Sequence, residues 1–301
     1  MTSTPDSRHP MHRILIIGCG DIGVRVARIE LANGYAVAAL ARSDDAAQRL
    51  RVQGIDVIRG DLDQEPPFDP PDRAPTILYY FAPPPAAGNT DTRIARLLSL
   101  LSDTRSPECL VYISTSGVYG DCGGAWIDES APLNPQSERA RRRVDAETRL
   151  IGWGQASGCR VVILRVPGIY GPGRLPVERI RKAIPVLHPD EAPFSNRIHA
   201  DDLAAVCVAA ARHGRSGRAY NVSDGHPTTM TDYFYRVADA IGAPRPPTIS
   251  MQEARRVFSP MMLSFLDESK RLDNRRMLEE LGVRLRFPDL ATGIPASVAS
   301  D

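Results

Sequence analysis

Three glycines, Gly18, Gly20 and Gly23, stand at Gly-x-Gly-x-x-Gly spacing inside ILIIGCGDIGVRVARIELANGYAVAALAR, residues 14–42. A short apolar run leads into them, a helical pattern follows, and a second apolar run ends at Arg42. Glycines so placed between a strand and a helix suit the pyrophosphate of a dinucleotide. Gly18 takes the backbone angles of a tight turn, and Gly20 lacks the Cβ that would hold phosphates off the main chain. Gly23 and Ala27 let the helix lie close to the strand. The amides of Cys19, Gly20, Asp21 and Ile22, with the positive end of the helix dipole, then point at the phosphates. Cys19 reads as a small residue that fits the turn, not as a redox thiol.

The end of the second apolar run selects between two dinucleotides. A binder of NAD places Asp or Glu there to accept from the ribose hydroxyls, whereas this chain has Ala41, Arg42 and Ser43. A guanidinium forms a charge-assisted, two-pronged bond to a 2′-phosphate that a carboxylate would repel. The expected cofactor is therefore NADP in preference to NAD, with Arg42 and Ser43 beside the extra phosphate. The alternative is that Arg42 is a solvated loop cation.

Bulk properties exclude other classes. The chain has 301 residues, 43% hydrophobic and 24% charged, an ordinary balance for a globular protein with a large core. Its net charge of +1 gives no field drawing it to nucleic acid or an anionic membrane. No apolar run approaches the roughly 18 residues of a membrane span. Residues 1–12 are polar, carry Pro5 and Pro10, and read as a frayed tail with no signal-peptide core. The five cysteines, Cys19, Cys109, Cys122, Cys159 and Cys207, form no close pair, which suits reduced thiols in a cytoplasmic protein. Neither they nor the six histidines have metal-ligand spacing, so no metal is expected.

The elements that must position these residues alternate. After the first strand–helix–strand unit, residues 45–53 read as a helix, 56–59 as a strand, 66–75 as a proline-rich loop and 76–81 as a continuous apolar strand. Residues 91–102 have helical period with Ile94, Leu97, Leu98 and Leu101 on one stripe. A strand over 109–113, a long helix over 136–157 and a strand over 160–164 follow. This is an α/β pattern, a Rossmann-type doubly wound parallel sheet covered on both faces. Beyond Pro167 turns alternate with helices near 201–212, 231–242 and 274–281. The domain expectation is a dinucleotide-binding domain over 13–170, to which 196–226 returns, and a smaller interleaved substrate-side lobe from 171–195 and 227–301.

Four further blocks, in this order and spacing, resemble the extended short-chain dehydrogenase/reductases, the NAD(P)-dependent sugar-nucleotide epimerases and dehydratases. They are STSGVYG (114–120), RVPGIYGPGR (165–174), IHADDLAAV (198–206) and YNVSDG (220–225). The resemblance runs from Arg13 to about Pro295. It implies that Gly18, Gly20 and Gly23 line the pyrophosphate, that Asp61 and Leu62 approach the adenine, and that Ala82 and Pro83 flank the cofactor. It implies that Thr115 hydrogen-bonds the reacting substrate group. Val166 and Pro167 would meet the nicotinamide, and Tyr170 and Arg174 the substrate, Arg174 through an anion.

One departure from the family bears on catalysis. Its acid/base Tyr-x-x-x-Lys belongs on the long helix, yet residues 136–147, QSERARRRVDAE, contain neither Tyr nor Lys. Counted back from Glu147, Arg143 falls where Lys is expected and Arg139 where Tyr is expected. A guanidinium, with a pKa of about 12.5–13.8, is no general base near neutral pH. Arg143 keeps the ribose hydrogen bonds in this reading, and Arg139 forms an anion clamp for substrate. Arg141 and Arg142 read as a solvated face, supported by the i,i+4 pairs Glu138–Arg142, Arg141–Asp145 and Arg143–Glu147. Tyr119 is the candidate phenol near the cleft, with a packing role as its alternative. His199 reads as a loop anchor, and Asp201 and Asp202 as the first turn of a helix.

Two functions fit these residues. One is an NADP-dependent oxidoreductase or epimerase acting on a small or nucleotide-linked polar substrate, with an unusual group or a water supplying the proton. The other is a cofactor-binding protein without turnover, a sensor or partner-binding module responsive to NADPH. The family also implies pairing as a homodimer through the long helices on one sheet face.

Overall fold

Seven parallel strands form the central sheet of the computed structural model, which describes residues 13–69, 74–102 and 106–299. The expected tail, residues 1–12, and residues 70–73 of the proline-rich loop lie outside the described residues. The strands are β1 Arg13–Ile17, β2 Ala36–Ala41, β3 Asp56–Arg59, β4 Ile77–Tyr80, β5 Cys109–Thr115, β6 Arg160–Val166 and β7 Arg218–Asn221. Their order is β7-β6-β5-β4-β1-β2-β3. The direction of winding reverses between β1 and β4, which run in register with Ile14 opposite Ile77 and Ile17 opposite Tyr80. In an open α/β sheet this switch point opens a crevice beyond the strand ends.

The central strands β1, β2, β4, β5 and β6 are mostly apolar because both sheet faces are covered, while the edge strands β3 (DVIR) and β7 (RAYN) are mixed. Alternate residues enter opposite cores. Ile14, Ile16, Tyr79, Val111, Val162 and Leu164 pack on one face with helices α1 Asp21–Ala32 and α5 Ala200–His213. Leu15, Ile17, Leu78, Tyr80, Leu110 and Ile163 pack on the other with α3 Thr92–Ser102 and α4 Glu138–Ser157. Helix α2 Asp44–Val52 lies between β2 and β3 in the chain.

The second lobe gathers around Tyr170, Ile180, Tyr233, Phe234, Val237 and Ile294. It holds α6 Met230–Ala240, α7 Met251–Val257, α8 Pro260–Leu266 and α10 Leu290–Val298. Helix α9 Arg275–Leu281 differs from the expected division, since Met277 and Leu281 join the core of the sheet. Helices α7, α8 and α10 were not visible in the periodicity. They are too short for a repeating stripe, and α10 contains Gly293 and Pro295. Their local signals are caps: a Ser250–Glu253 capping box, Ser259 before Pro260, and Asp289 accepting from Thr292 N at 2.8 Å.

Arg141 is exposed, as a solvated face requires, but helix α4 corrects that reading for Arg142. Arg142 is buried, donating to the Gly88 carbonyl and pairing with Glu138 at 3.6 Å. The other two expected pairs do not form. Asp145 takes Arg149 at 2.8 Å, and Arg143 donates to the Tyr112 hydroxyl and the Ile113 carbonyl, each at 2.9 Å. Glu147 turns inward to Arg165 at 2.8 Å and accepts from Ser114 Oγ. Arg165 also donates to the Tyr119 hydroxyl at 2.9 Å. Both charges of this pair are buried, so removing one strands the other. Glu147→Ala is expected to destabilise the protein by about 3–5 kcal/mol in urea unfolding, and Glu147→Leu with Arg165→Met to recover most of that loss. A Glu147→Ala chain as stable as wild type would contradict this.

Candidate functional site

Gly18 follows β1 directly, with φ +87°, and a Cβ there would overlap the backbone of Ala82 at the end of β4. The two strand ends therefore meet with no side chain between them. Phe81 N continues the contact by donating to the Ile17 carbonyl at 2.7 Å. A Cβ on Gly20 would have nothing within 4 Å, and one on Gly23 would press on the Gly18 oxygen at 3.2 Å. Gly20 caps α1 without a side-chain acceptor. The first helical bond is Val24 N to Gly20 O at 2.9 Å, so the amides of Asp21, Ile22 and Gly23 have no acceptor within the helix. This open cradle of donors fits a diphosphate. Burial pushes the Cys19 thiol up to about 12, which keeps it protonated and unreactive in the turn.

A groove of about 590 Å³ runs from Cys19, Gly20 and Asp21 past Ala41 to Arg42. Arg42 is exposed at its end, where no carboxylate follows β2 directly. Ser43 Oγ accepts from Ala46 N at 3.2 Å as the cap of α2, which leaves its proton available. Asp61 Oδ1 accepts from Asp63 N at 3.0 Å, and Leu62 is buried beneath. The Pro83 carbonyl is held by Arg93 Nη1 at 2.9 Å.

Thr115 ends β5 and lines a second cavity of about 380 Å³, with Arg139, Arg143, Pro167, Arg197, Glu268 and Lys270 also in its wall. Thr115 Oγ1 accepts from Gly117 N at 3.2 Å, so its own proton is free to donate. Val166 is buried behind Pro167 at the end of β6. Arg139 stands on the rim with its guanidinium 4.4 Å from the Phe265 ring centre. Lys270 is buried and pairs with Glu268 at 2.6 Å. Beside this cavity lies an apolar chamber of about 200 Å³ that shares the Met230 and Phe265 walls.

Three expected site residues stand elsewhere. Tyr119 is buried beneath the cavity, donating to Asn221 Oδ1 at 2.8 Å and accepting from Arg165, and burial pushes its phenol up to about 12. It packs and is not among the residues that line the cavity. Tyr170 is buried in the second lobe, with its hydroxyl donating to the Asp289 carbonyl at 3.2 Å and its ring edge-on to His199. Arg174 turns to the glycine loop, where it pairs with Asp21 at 2.5 Å. Although burial works the other way, Arg174 and Arg25 hold the Asp21 carboxyl below its ordinary value and neutralise its charge beside the cradle. His199 does anchor a turn, accepting from Asp201 N at 3.2 Å, and Asp202 accepts from Arg286 N and Phe287 N.

Sequence reasoning missed Arg197, Phe265, Glu268 and Lys270. Arg197 immediately precedes the IHADD block, a usable signal; the other three lie in a segment with no period. Among the described residues no helix is long and apolar enough to cross a membrane.

The profile of the NAD dependent epimerase/dehydratase family matches residues 14–223, and the chain belongs to that family. Protein YeeZ of Escherichia coli (strain K12) is 25% identical over 290 residues, covering 93% of this chain and 97% of YeeZ. A functionally unknown conserved protein from Silicibacter pomeroyi DSS superposes with a TM-score of 0.83 at 30% identity, covering 96% of this chain and 98% of the other. The UDP-glucose 4-epimerase of Thermus thermophilus, solved in complex with NAD, has a TM-score of 0.75 at 24% identity over 96% of this chain and 98% of its own. That last likeness establishes the shared Rossmann-type fold.

Asp224, in the YNVSDG block behind the cavity, generates a pH prediction. Burial pushes its carboxyl up to about 7, against one hydrogen bond from His226 N at 3.0 Å. Oδ2 is sealed with no donor among the described residues. The folded-state pKa exceeds the unfolded value, so the stability present below about pH 4 is lost as pH rises through about 7. In urea unfolding, Asp224→Asn is expected to gain on wild type by up to about 4 kcal/mol between pH 4 and pH 8. Parallel pH profiles for the two chains would contradict this.

Proposed function

We propose that this chain is an NADP-linked oxidoreductase of the epimerase/dehydratase type, acting on a small polar carbonyl or alcohol. The observation that carries this reading is topological. The glycine cradle and the Thr115 cavity open on the same end of one parallel sheet, at the ends of β1, β4, β5 and β6. The amides of Asp21 and Ile22, free of acceptors within the helix, hold the pyrophosphate, and Arg42 with Ser43 receives the 2′-phosphate. Arg143 reaches the nicotinamide ribose from α4. When bound, the nicotinamide donates or accepts a hydride.

The chain's own residues handle the proton. Thr115 Oγ1 donates a hydrogen bond to the substrate oxygen and orients it. Of the polar side chains in the cavity, the guanidiniums stay protonated and the hydroxyls have no activating base. Lys270 and Glu268 are the groups left to exchange a proton. Lys270 Nζ passes a proton to the substrate oxygen as that oxygen gains negative charge, and Glu268 holds Nζ in place. This pair does what a tyrosine on α4 would otherwise do.

The absence of Tyr and Lys from residues 136–147 favours one rival, a cofactor-binding sensor without turnover. The two readings separate in one set of assays. On the enzyme reading, NADPH is oxidised with at least one member of a carbonyl panel. Lys270→Met then slows that turnover by about 10²–10⁴-fold while NADPH affinity stays unchanged. Tight NADPH binding with no turnover across the panel would support the sensor. For cofactor choice, Arg42→Ala is expected to weaken NADPH binding roughly 10–100-fold and leave NADH binding unaltered. Equal NADPH and NADH affinities in wild type would overturn the preference.

A further inference from the structure

The cavity beside Thr115 carries more positive charge than its own residues balance. Arg139, Arg143, Arg197 and Lys270 line it against the single carboxylate of Glu268, and Glu268 is taken by Lys270. The acceptors of Arg143 are both neutral oxygens. Arg139 lies over the Phe265 ring, and burial holds its guanidinium below the ordinary range.

Arg197 is the most exacting of these groups. Its Nε is sealed from water with no acceptor among the described residues. Nη2 donates to the Met230 sulfur at 3.2 Å, and the guanidinium stacks 4.0 Å from the Tyr233 ring centre. Asp224 bonds the Arg197 backbone, its N–H donating to the Arg197 carbonyl at 2.8 Å, while its Oδ2 takes no hydrogen bond from the guanidinium. A thioether and a ring face offset only part of the cost of removing a guanidinium from water. Gly168 adds a geometric observation: a Cβ there would overlap Arg197 Nη1, so this glycine lets the guanidinium lie across the backbone into the cavity.

We propose that the cavity is an anion subsite, in which Arg197, with Arg139 and Lys270 also in its wall, receives a carboxylate or phosphate of a small acidic substrate. Arg197 and Thr115 line the same cavity, which places an anionic group and the reacting carbon in one chamber. The volume of about 380 Å³ stands near the lower end of ligand pockets, about 300–1,000 Å³, and suits a compact acid better than a nucleotide-linked sugar. This substrate class rests on the proposed oxidoreductase reading; the anion site itself does not.

The test is calorimetric titration of the full chain, saturated with NADP⁺, with sodium oxalate and separately with inorganic phosphate, at ionic strength matched with sodium chloride. One-site binding of at least one probe is expected, weakened roughly tenfold or more by Arg197→Met and partly restored by Arg197→Lys. NADP⁺ affinity is expected to be the same in all three chains. Oxalate alone binding assigns a carboxylate, and phosphate alone a phosphate. Arg139→Leu, a change at the rim, should also weaken the probe and keeps the test decisive where Arg197→Met does not fold. Absence of binding for both probes, or constants unchanged by Arg197→Met and Arg139→Leu, would overturn the proposal. Anion binding by a chain that ignores NADP⁺ would leave the anion site standing and remove the cofactor reading instead.

Discussion

The close approach of Gly18 to Ala82 is the constraint on which the rest of the site depends. The turn after β1 takes φ +87° and leaves no room for a Cβ against the backbone at the end of β4. This contact occurs at the switch point of the sheet, where the neighbouring crossovers diverge. It also fixes where α1 begins. Because Gly20 caps α1 without a side-chain acceptor, the first amides of the helix are left facing the crevice. The same sheet then carries Thr115 and Pro167 to the far side of that crevice on β5 and β6.

The two halves of the crevice differ in how their charge is balanced. At the glycine turn Asp21 is held by Arg25 and Arg174, so the acid nearest the cradle is countered from within the chain. In the Thr115 cavity the imbalance has the opposite sign and the chain leaves it in place. Arg165, on the strand that ends at this cavity, is by contrast paired with the buried Glu147. Arg165 thus has a carboxylate partner, while among the described residues Arg139, Arg143 and Arg197 in the cavity wall have no ion pair, a difference that points to recognition of negative charge.

Most of the sheet was legible because its central strands are short apolar runs between turn signals, and because Ile94, Leu97, Leu98 and Leu101 mark α3 by period alone; the edge strand β7, RAYN, has no such run. The glycine turn was legible for the same local reason. Tyr119 and Arg174 were misplaced because their partners lie far along the chain: Asn221 is 102 residues from Tyr119, and Asp21 is 153 from Arg174. Lys270 and Arg197 escaped notice for a related reason. Both reach the Thr115 cavity from segments far along the chain from β5, and no spacing in the sequence encodes that juxtaposition. Caps at Ser250 and Asp289 show that α7 and α10 did have local signals, ones that hydrophobic period does not read.

The central claim is that the sheet's switch point holds a dinucleotide facing Thr115. A crystal structure of the chain soaked with NADPH tests it most directly. The account predicts pyrophosphate oxygens within hydrogen-bond distance of the Asp21 and Ile22 amides, the 2′-phosphate on Arg42, and the nicotinamide ring turned toward Thr115. Density for the dinucleotide elsewhere on the protein, or an empty crevice at saturating NADPH, would contradict it.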